Sequence, residues 1–172
     1  MSDIDWSRWT VILLKPDCLD RNLTGVVLDA VRDLLAVVDY RTATAAEQQI
    51  FTHYADMLPL SAQLGRDVPA ELRRIFVGRD VGIALAHGED AAPRLRAIIG
   101  HTDPAIADPN SIRGRFAGDT LARAQAEGRL VNNLIHSSDT VDVVARDFDI
   151  WYGPHAAHLL REPIAQPGGA RL

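Results

Sequence analysis

The chain has 172 residues, 47% hydrophobic and 24% charged, with 18 basic against 23 acidic side chains, the balance of one globular domain whose core needs no disulfide or metal staple. A formal charge of -5 argues against a general nucleic-acid coat, and no apolar stretch approaches the length of a membrane span. The N-terminal MSDIDWSRW lacks the apolar run of an export signal, and the single Cys18 cannot form an internal bridge, so a cytoplasmic, membrane-free protein is expected.

Residues 9–14, WTVILL, form an apolar and β-branched run that Pro16 terminates, which predicts a buried strand with Lys15 at its C-terminal end. From Leu23 to Leu35 the apolar residues keep helical spacing, with Asn22 as the N-cap. Residues 37–44 read as a second strand, 46–58 and 68–77 as helices, 81–86 as a third strand and 89–99 as a helix. Residues 100–118 carry three of the glycines and two prolines with few large apolar side chains, a long ordered or functional loop. Residues 119–129 have helix composition with Asp119 as a cap, residues 130–135 are a further strand, and 139–148 a helix whose Asp139 and Asp142 favour its N-terminal end. The tail, rich in Pro and Gly, reads as an irregular arm. This order indicates an α+β domain, and a ferredoxin-like βαββαβ arrangement fits it: a four-stranded antiparallel sheet with helices on one face and an extra helix inserted before the last strand. The domain is expected over residues 1–154 and a C-terminal arm over 155–172.

Of the 18 basic residues, 17 are Arg and one is Lys15. Lys offers a compact ammonium with three donors where Arg offers a planar fork, so Lys15 is either selected for that shape or an accident of composition. His136 follows an apolar pair at a strand end and precedes a helix. A neutral imidazole there has the nucleophilic ring nitrogen that covalent catalysis needs; the alternative is a structural histidine at a helix entrance.

Read together, Lys15-Pro16-Asp17, Ser111-Ile112-Arg113-Gly114 and Asn133-Leu134-Ile135-His136-Ser137-Ser138-Asp139 resemble the signature segments of nucleoside diphosphate kinases. His53-Tyr54, the segment from Arg96 to Thr102 and Trp151-Tyr152 stand in the order the same family shows, and the resemblance covers residues 8 to about 154. It implies a reversible ping-pong enzyme in which His136 accepts the γ-phosphoryl group of a nucleoside triphosphate and returns it to a nucleoside diphosphate. By the same resemblance Lys15, Arg96, Thr102 and Arg113 hold the phosphates, Asn133 with Lys15 contacts the sugar, Tyr54 sits against the histidine, and Mg2+ arrives on the nucleotide. Asp147 stands where the family usually has a Glu orienting the imidazole, and is otherwise a solvated helix residue. A homo-oligomer is implied. Phosphoryl transfer requires positioning and charge neutralisation, and this residue set supplies three cations and a nucleophile without a Gly-rich phosphate loop. The remaining histidines, His53, His87, His101, His155 and His158, have no partner at metal-ligand spacing and read as structural or exposed.

The sequence departs from the family pattern at Cys18 and Ser137, where Gly is usual. It also departs at Ala62, where an aromatic platform for the base is usual, and in about ten inserted residues between Phe116 and Asn132. These changes leave the phosphate chemistry intact and alter the base end. Two further readings therefore stand beside the kinase: a relative specialised for one nucleotide-like acceptor, and a non-catalytic nucleotide-binding scaffold, against which the retained polar set counts.

Overall fold

A computed structural model describes residues 4–161 and 163. Four strands, β1 (Trp9–Leu14), β2 (Ala36–Thr44), β3 (Asp80–His87) and β4 (Ile135–Ser137), form one sheet in the order β2-β3-β1-β4 with antiparallel pairing throughout. The helices are α1 (Pro16–Asp20), α2 (Thr24–Arg32), α3 (Glu47–His53), α4 (Ser61–Leu64), α5 (Val68–Phe76), α6 (Ala91–Ile99), α7 (Ile112–Phe116), α8 (Leu121–Ala126) and α9 (Val141–Trp151). The order and pairing are those of the ferredoxin-like arrangement, with α8 as the inserted helix.

The helices do not keep to one face. Every residue of β1 is buried, because alternate side chains enter two cores. Trp9, Val11 and Leu13 pack with residues of α3, α5 and α9. Ile12 and Leu14 pack with residues of α2 and α6. A strand that is apolar on both faces requires cover on both, and the run WTVILL already has that character. β2, at the sheet edge, is largely exposed or half-buried.

The last strand is shorter and later than its composition predicts. Residues 130–134 are irregular, Leu134 has φ +71°, and β4 pairs with β1 only through Ile135, His136 and Ser137, opposite Leu14, Leu13 and Ile12. The positive φ breaks the extended run, and the carbonyls of Asn133 and Ile135 accept from Arg113. Other boundaries shift for similar reasons. Asn22 lies in the left-handed region at φ 55° and Leu23 occupies the N-cap position of α2. Thr120, whose side chain accepts from the Arg123 N–H, caps α8 in place of Asp119; Asp119 instead accepts from Arg129 and from the Asn132 N–H. In the expected 155–172 arm, Pro154–Leu159 form a 3-10 turn with Ala156 buried against the core, and residues 162 and 164–172 lie outside the described residues.

The long loop is ordered by its own polar groups. Ser111 caps α7: its Oγ accepts from the Gly114 N–H at 3.1 Å and donates to the Asp108 carbonyl at 2.6 Å. A Cβ at Gly114 would stand 2.0 Å from that same carbonyl oxygen, so this turn admits no side chain. Gly114→Ala is expected to cost about 1–3 kcal/mol through forced backbone displacement, lowering Tm by roughly 3–10 °C for a domain of this size. Calorimetry checks it; an unchanged Tm would show that the α7 turn relaxes freely.

Candidate active site

The end of β1, the start of α7 and the irregular segment before β4 meet around a cavity of about 360 Å³, within the range of small-ligand sites. Lys15, Tyr54, Arg96, Thr102, Arg113, Asn133 and His136 all line it. Seven of the eight predicted site residues are thus brought together, and Asp147 lies behind them.

Lys15 leaves β1 at the N-cap position of α1, its backbone N–H bonded to the Leu134 carbonyl. Its Nζ donates to the Val131 carbonyl at 3.1 Å and to Asn133 Oδ1 at 3.0 Å. An ammonium has three N–H donors, so one remains for a ligand. Burial lowers the Lys15 pKa to about 8, against the raising influence of Asp17. Asn133 is fixed in turn, its Nδ2 donating to the Thr102 carbonyl at 2.9 Å; Thr102 itself is exposed at the rim.

Arg113 is buried. Its Nε, Nη1 and Nη2 donate to the carbonyls of Asn133, Gly100 and Ile135 at 3.2, 3.1 and 2.7 Å. These bonds use three of the five guanidinium N–H groups, which sets the plane of the fork and leaves two donors. Burial, reinforced by nearby Arg96, lowers its pKa to about 10. Arg96, half-exposed at the end of α6, forms an ion pair with Asp139. Asp139 therefore stands outside α9, which begins at Val141 rather than at 139.

His136 sits at the centre of β4, not after a strand, and is partly exposed toward the cavity. The Tyr54 ring lies 5.3 Å from the imidazole centroid at 54°. Burial holds the His136 pKa well below the ordinary imidazole range, with His53, Lys15 and Arg113 acting in the same direction and Asp147 opposing. The ring therefore stays neutral at neutral pH, the form in which nitrogen can attack.

One expectation is overturned here and another is narrowed. Asp147 is not a solvated helix residue: it is fully buried, because α9 turns it toward the site together with Phe148 and Trp151. Nor do its oxygens bond His136. One accepts from Ser138 Oγ at 2.9 Å, and the other accepts from Arg146 and lies 3.2 Å from His53 Nδ1. His53, read above as structural or exposed, is 2% exposed and stands edge-on to His136, with centroids 4.9 Å apart and planes at 81°. The signal for it was helical spacing, since Ile50 and His53 are three residues apart on the buried face of α3. Cys18 is fully buried, and burial pushes its thiol up to about 12. Among the described residues no group of three or more His, Cys, Asp or Glu side chains is placed to hold a metal.

Apolar side chains that line the cavity include Met57, Leu64, Leu72, Leu121 and Leu130. Ala62 is exposed and does not line it. Leu121, from the inserted α8, and Leu64, from α4, line it and are both substantially exposed.

A neutral imidazole in a cavity lined by an ammonium and the three guanidinium groups of Arg66, Arg96 and Arg113 is the makeup of a phosphotransferase: the cations suit a multiply charged ligand, and the ring nitrogen suits a transferable phosphoryl group. The family model for nucleoside diphosphate kinase matches residues 8–157, and the chain belongs to that family. The nucleoside diphosphate kinase of Staphylococcus aureus (strain MSSA476) is 31% identical over 144 residues, covering 83% of this chain and 86% of the relative. That of Pyrobaculum aerophilum is 26% identical over 171 residues. Among solved structures, a transition state mimic of the Borrelia burgdorferi nucleoside-diphosphate kinase with bound vanadate and ADP superimposes with a TM-score of 0.78 at 24% identity, covering 87% of this chain and 89% of the other. The Pyrobaculum aerophilum enzyme gives 0.70 at 24% identity, over 87% and 97%. At such identities these structures establish the fold. No helix of the described residues is long and apolar enough to cross a membrane.

Proposed function

We propose that this chain is a nucleoside diphosphate kinase that works by reversible ping-pong transfer through a phosphohistidine at His136. The observation that carries this reading is the placement of a neutral His136 in one cavity with Lys15, Arg96 and Arg113. The His136 ring nitrogen attacks the γ-phosphorus of a nucleoside triphosphate. The bond from that phosphorus to the β–γ bridging oxygen breaks, and the nucleoside diphosphate leaves with the electron pair. A terminal oxygen of a second diphosphate then attacks the phosphohistidine and restores the imidazole. Because the ring is already neutral, attack needs no general base.

Lys15 and Arg113 bring three unused N–H donors to the phosphates, Arg96 exchanges Asp139 for a phosphate oxygen, and Thr102 adds a rim donor. Asn133 with Lys15 contacts the sugar, and Tyr54 holds the face of the imidazole. The carboxylates lining the cavity are Asp56 and Asp139, the latter engaged by Arg96, which suits a metal carried in on the nucleotide better than one resident on the protein. Mg2+ bound through the phosphates would neutralise charge on the β and γ oxygens. The exposed edge strand β2 offers a surface for a homo-oligomer, and the cytoplasm, with its nucleoside tri- and diphosphates, is the setting in which we place the enzyme.

Incubation with γ-labelled ATP tests the reading. Acid-labile, base-stable label on the protein, discharged to labelled triphosphate by an added diphosphate, is expected; absence of both protein-bound label and exchange would leave the scaffold reading, and exchange without label would overturn the phosphohistidine. A pH profile follows from the same groups. kcat/KM for ATP should hold level from about pH 6 to 7.5 and fall as Lys15 loses its proton through about pH 8. An acid limb near the ordinary imidazole value of about 6.5 would contradict a depressed His136.

The insertion favours a second version of the reading, a preference for one acceptor, because it brings Leu121 of α8 into the cavity lining. Leu64→Ala and Leu121→Ala should each raise KM for diphosphates by about tenfold, the worth of a lost aliphatic contact of roughly 1.5 kcal/mol, with kcat held. Steady-state kinetics across the four common diphosphates separates the versions: a tenfold outlier marks a specialised acceptor, and uniform values mark a general one.

A further inference from the structure

Asp147 is completely buried, yet its hydrogen bonds stop one residue short of the nucleophile. Ser138 Oγ donates to Oδ2 at 2.9 Å, Arg146 donates to Oδ1 at 3.1 Å, and His53 Nδ1 lies 3.2 Å from that same oxygen. His53 is wedged in an aromatic cluster. Its ring stands edge-on to Tyr54 at 4.8 Å and 90°, to His136 at 4.9 Å and 81°, and to Trp151 at 5.7 Å and 71°. The Trp151 indole N–H also points at His53 Nδ1, at 3.3 Å.

The second nitrogen of this imidazole, Nε2, is buried without a partner. A neutral imidazole has one donor and one acceptor nitrogen. If Nδ1 donates to Asp147, Nε2 is a buried lone pair; if Nδ1 accepts from Trp151, Nε2 is a buried donor. In both tautomers a polar group remains unsatisfied inside the protein. A phenylalanine would fill the same space without that penalty, and such buried orphans are rare enough to require a reason.

We infer that His53 is a positioning residue for His136, transmitting the hold of the Asp147 carboxylate to the nucleophile that this carboxylate does not itself reach. The inference rests on the reading of His136 as the phosphorylated residue. An aspartate is one methylene shorter than a glutamate at the same place, and the His53 ring occupies the interval. Through Asp147, Ser138 and Arg146 the orientation of His53 is fixed by α9 and by the residue after β4. Its edge-on packing then limits rotation of the His136 ring about χ2, and pre-orientation of a reacting atom is worth rate rather than affinity.

The test is a double-mutant cycle on single-turnover phosphorylation by ATP, with His53→Phe, Asp147→Asn and the pair together. His53→Phe keeps an edge-on aromatic wedge and loses the nitrogens; Asp147→Asn keeps the shape of the carboxylate and loses its charge. Each is expected to slow phosphorylation at saturating ATP by about 10- to 100-fold with KM within a factor of about two, and the pair should be no slower than the slower single variant. A His53→Phe enzyme at the unsubstituted rate, multiplicative losses in the pair, or losses confined to KM would overturn the inference. A second measurement needs only the isosteric Asp147→Asn protein and no catalysis. Its ring 15N resonances should move for both His53 and His136 relative to the unsubstituted chain, and movement at His53 alone would overturn the relay. Failure of the parent reading is distinct: the unsubstituted enzyme would then take no label at His136, whatever the resonances do.

Discussion

His136→Ala is expected to abolish both protein-bound label from ATP and exchange between tri- and diphosphates, a loss of at least about 10⁴-fold, or roughly 5.5 kcal/mol of transition-state stabilisation. Among the described residues no other side chain lining the cavity offers a neutral nitrogen nucleophile. Lys15 is protonated at neutral pH and already donates to Val131 and Asn133, and burial raises the Tyr54 phenol far above its ordinary value. The fold should survive, since His136 is partly exposed and its backbone, not its ring, pairs with Leu13. His101 is the nearest competitor by motif, but it is exposed, accepts from the Asp103 N–H through Nδ1 and does not line the cavity. His101→Ala should keep the label. The opposite pattern, label retained in His136→Ala and lost in His101→Ala, would move the nucleophile.

Lys15→Arg conserves charge and should still cost turnover about 100-fold, near 2.7 kcal/mol. Lys15 is 7% exposed, and its Nζ sits between the Val131 carbonyl and Asn133 Oδ1 with one N–H left over. A guanidinium is a wider planar fork with a different reach; in that space it displaces Asn133, and with it the bond to the Thr102 carbonyl that holds the rim. The loss should fall on kcat and kcat/KM together, because the missing interaction is with the phosphoryl group in flight rather than with bound nucleotide. Near-normal turnover in this variant would return the single lysine to an accident of composition. Thermal unfolding of the same variant separates a misplaced charge from a damaged fold, as the β1 core behind Lys15 is unaffected by the change.

The strand that delivers Lys15, the order of helices and strands along the chain, and the seven proposed site residues that meet in one cavity were all legible in the amino-acid sequence. Those are local or periodic facts: an all-apolar run, helical spacing, a proline that ends a ladder, and short motifs whose order survives in one dimension. Helices on one face were expected, although WTVILL, an unbroken apolar run rather than an alternating one, already carried the signal for cover on both. Contacts between distant segments set the rest. β4 is short because Leu134 adopts a positive φ while Arg113 takes the neighbouring carbonyls, and no window around residue 130 contains that competition. Asp119 stands at a cap position by composition and is drawn instead to Arg129 and the Asn132 N–H. Asp139 leaves its helix end for Arg96, 43 residues away. Asp147 and His53 are 94 positions apart and meet only when α3 and α9 pack on the same face of the sheet. The carboxylate then lies against His53 rather than His136, an arrangement that a one-dimensional motif does not record.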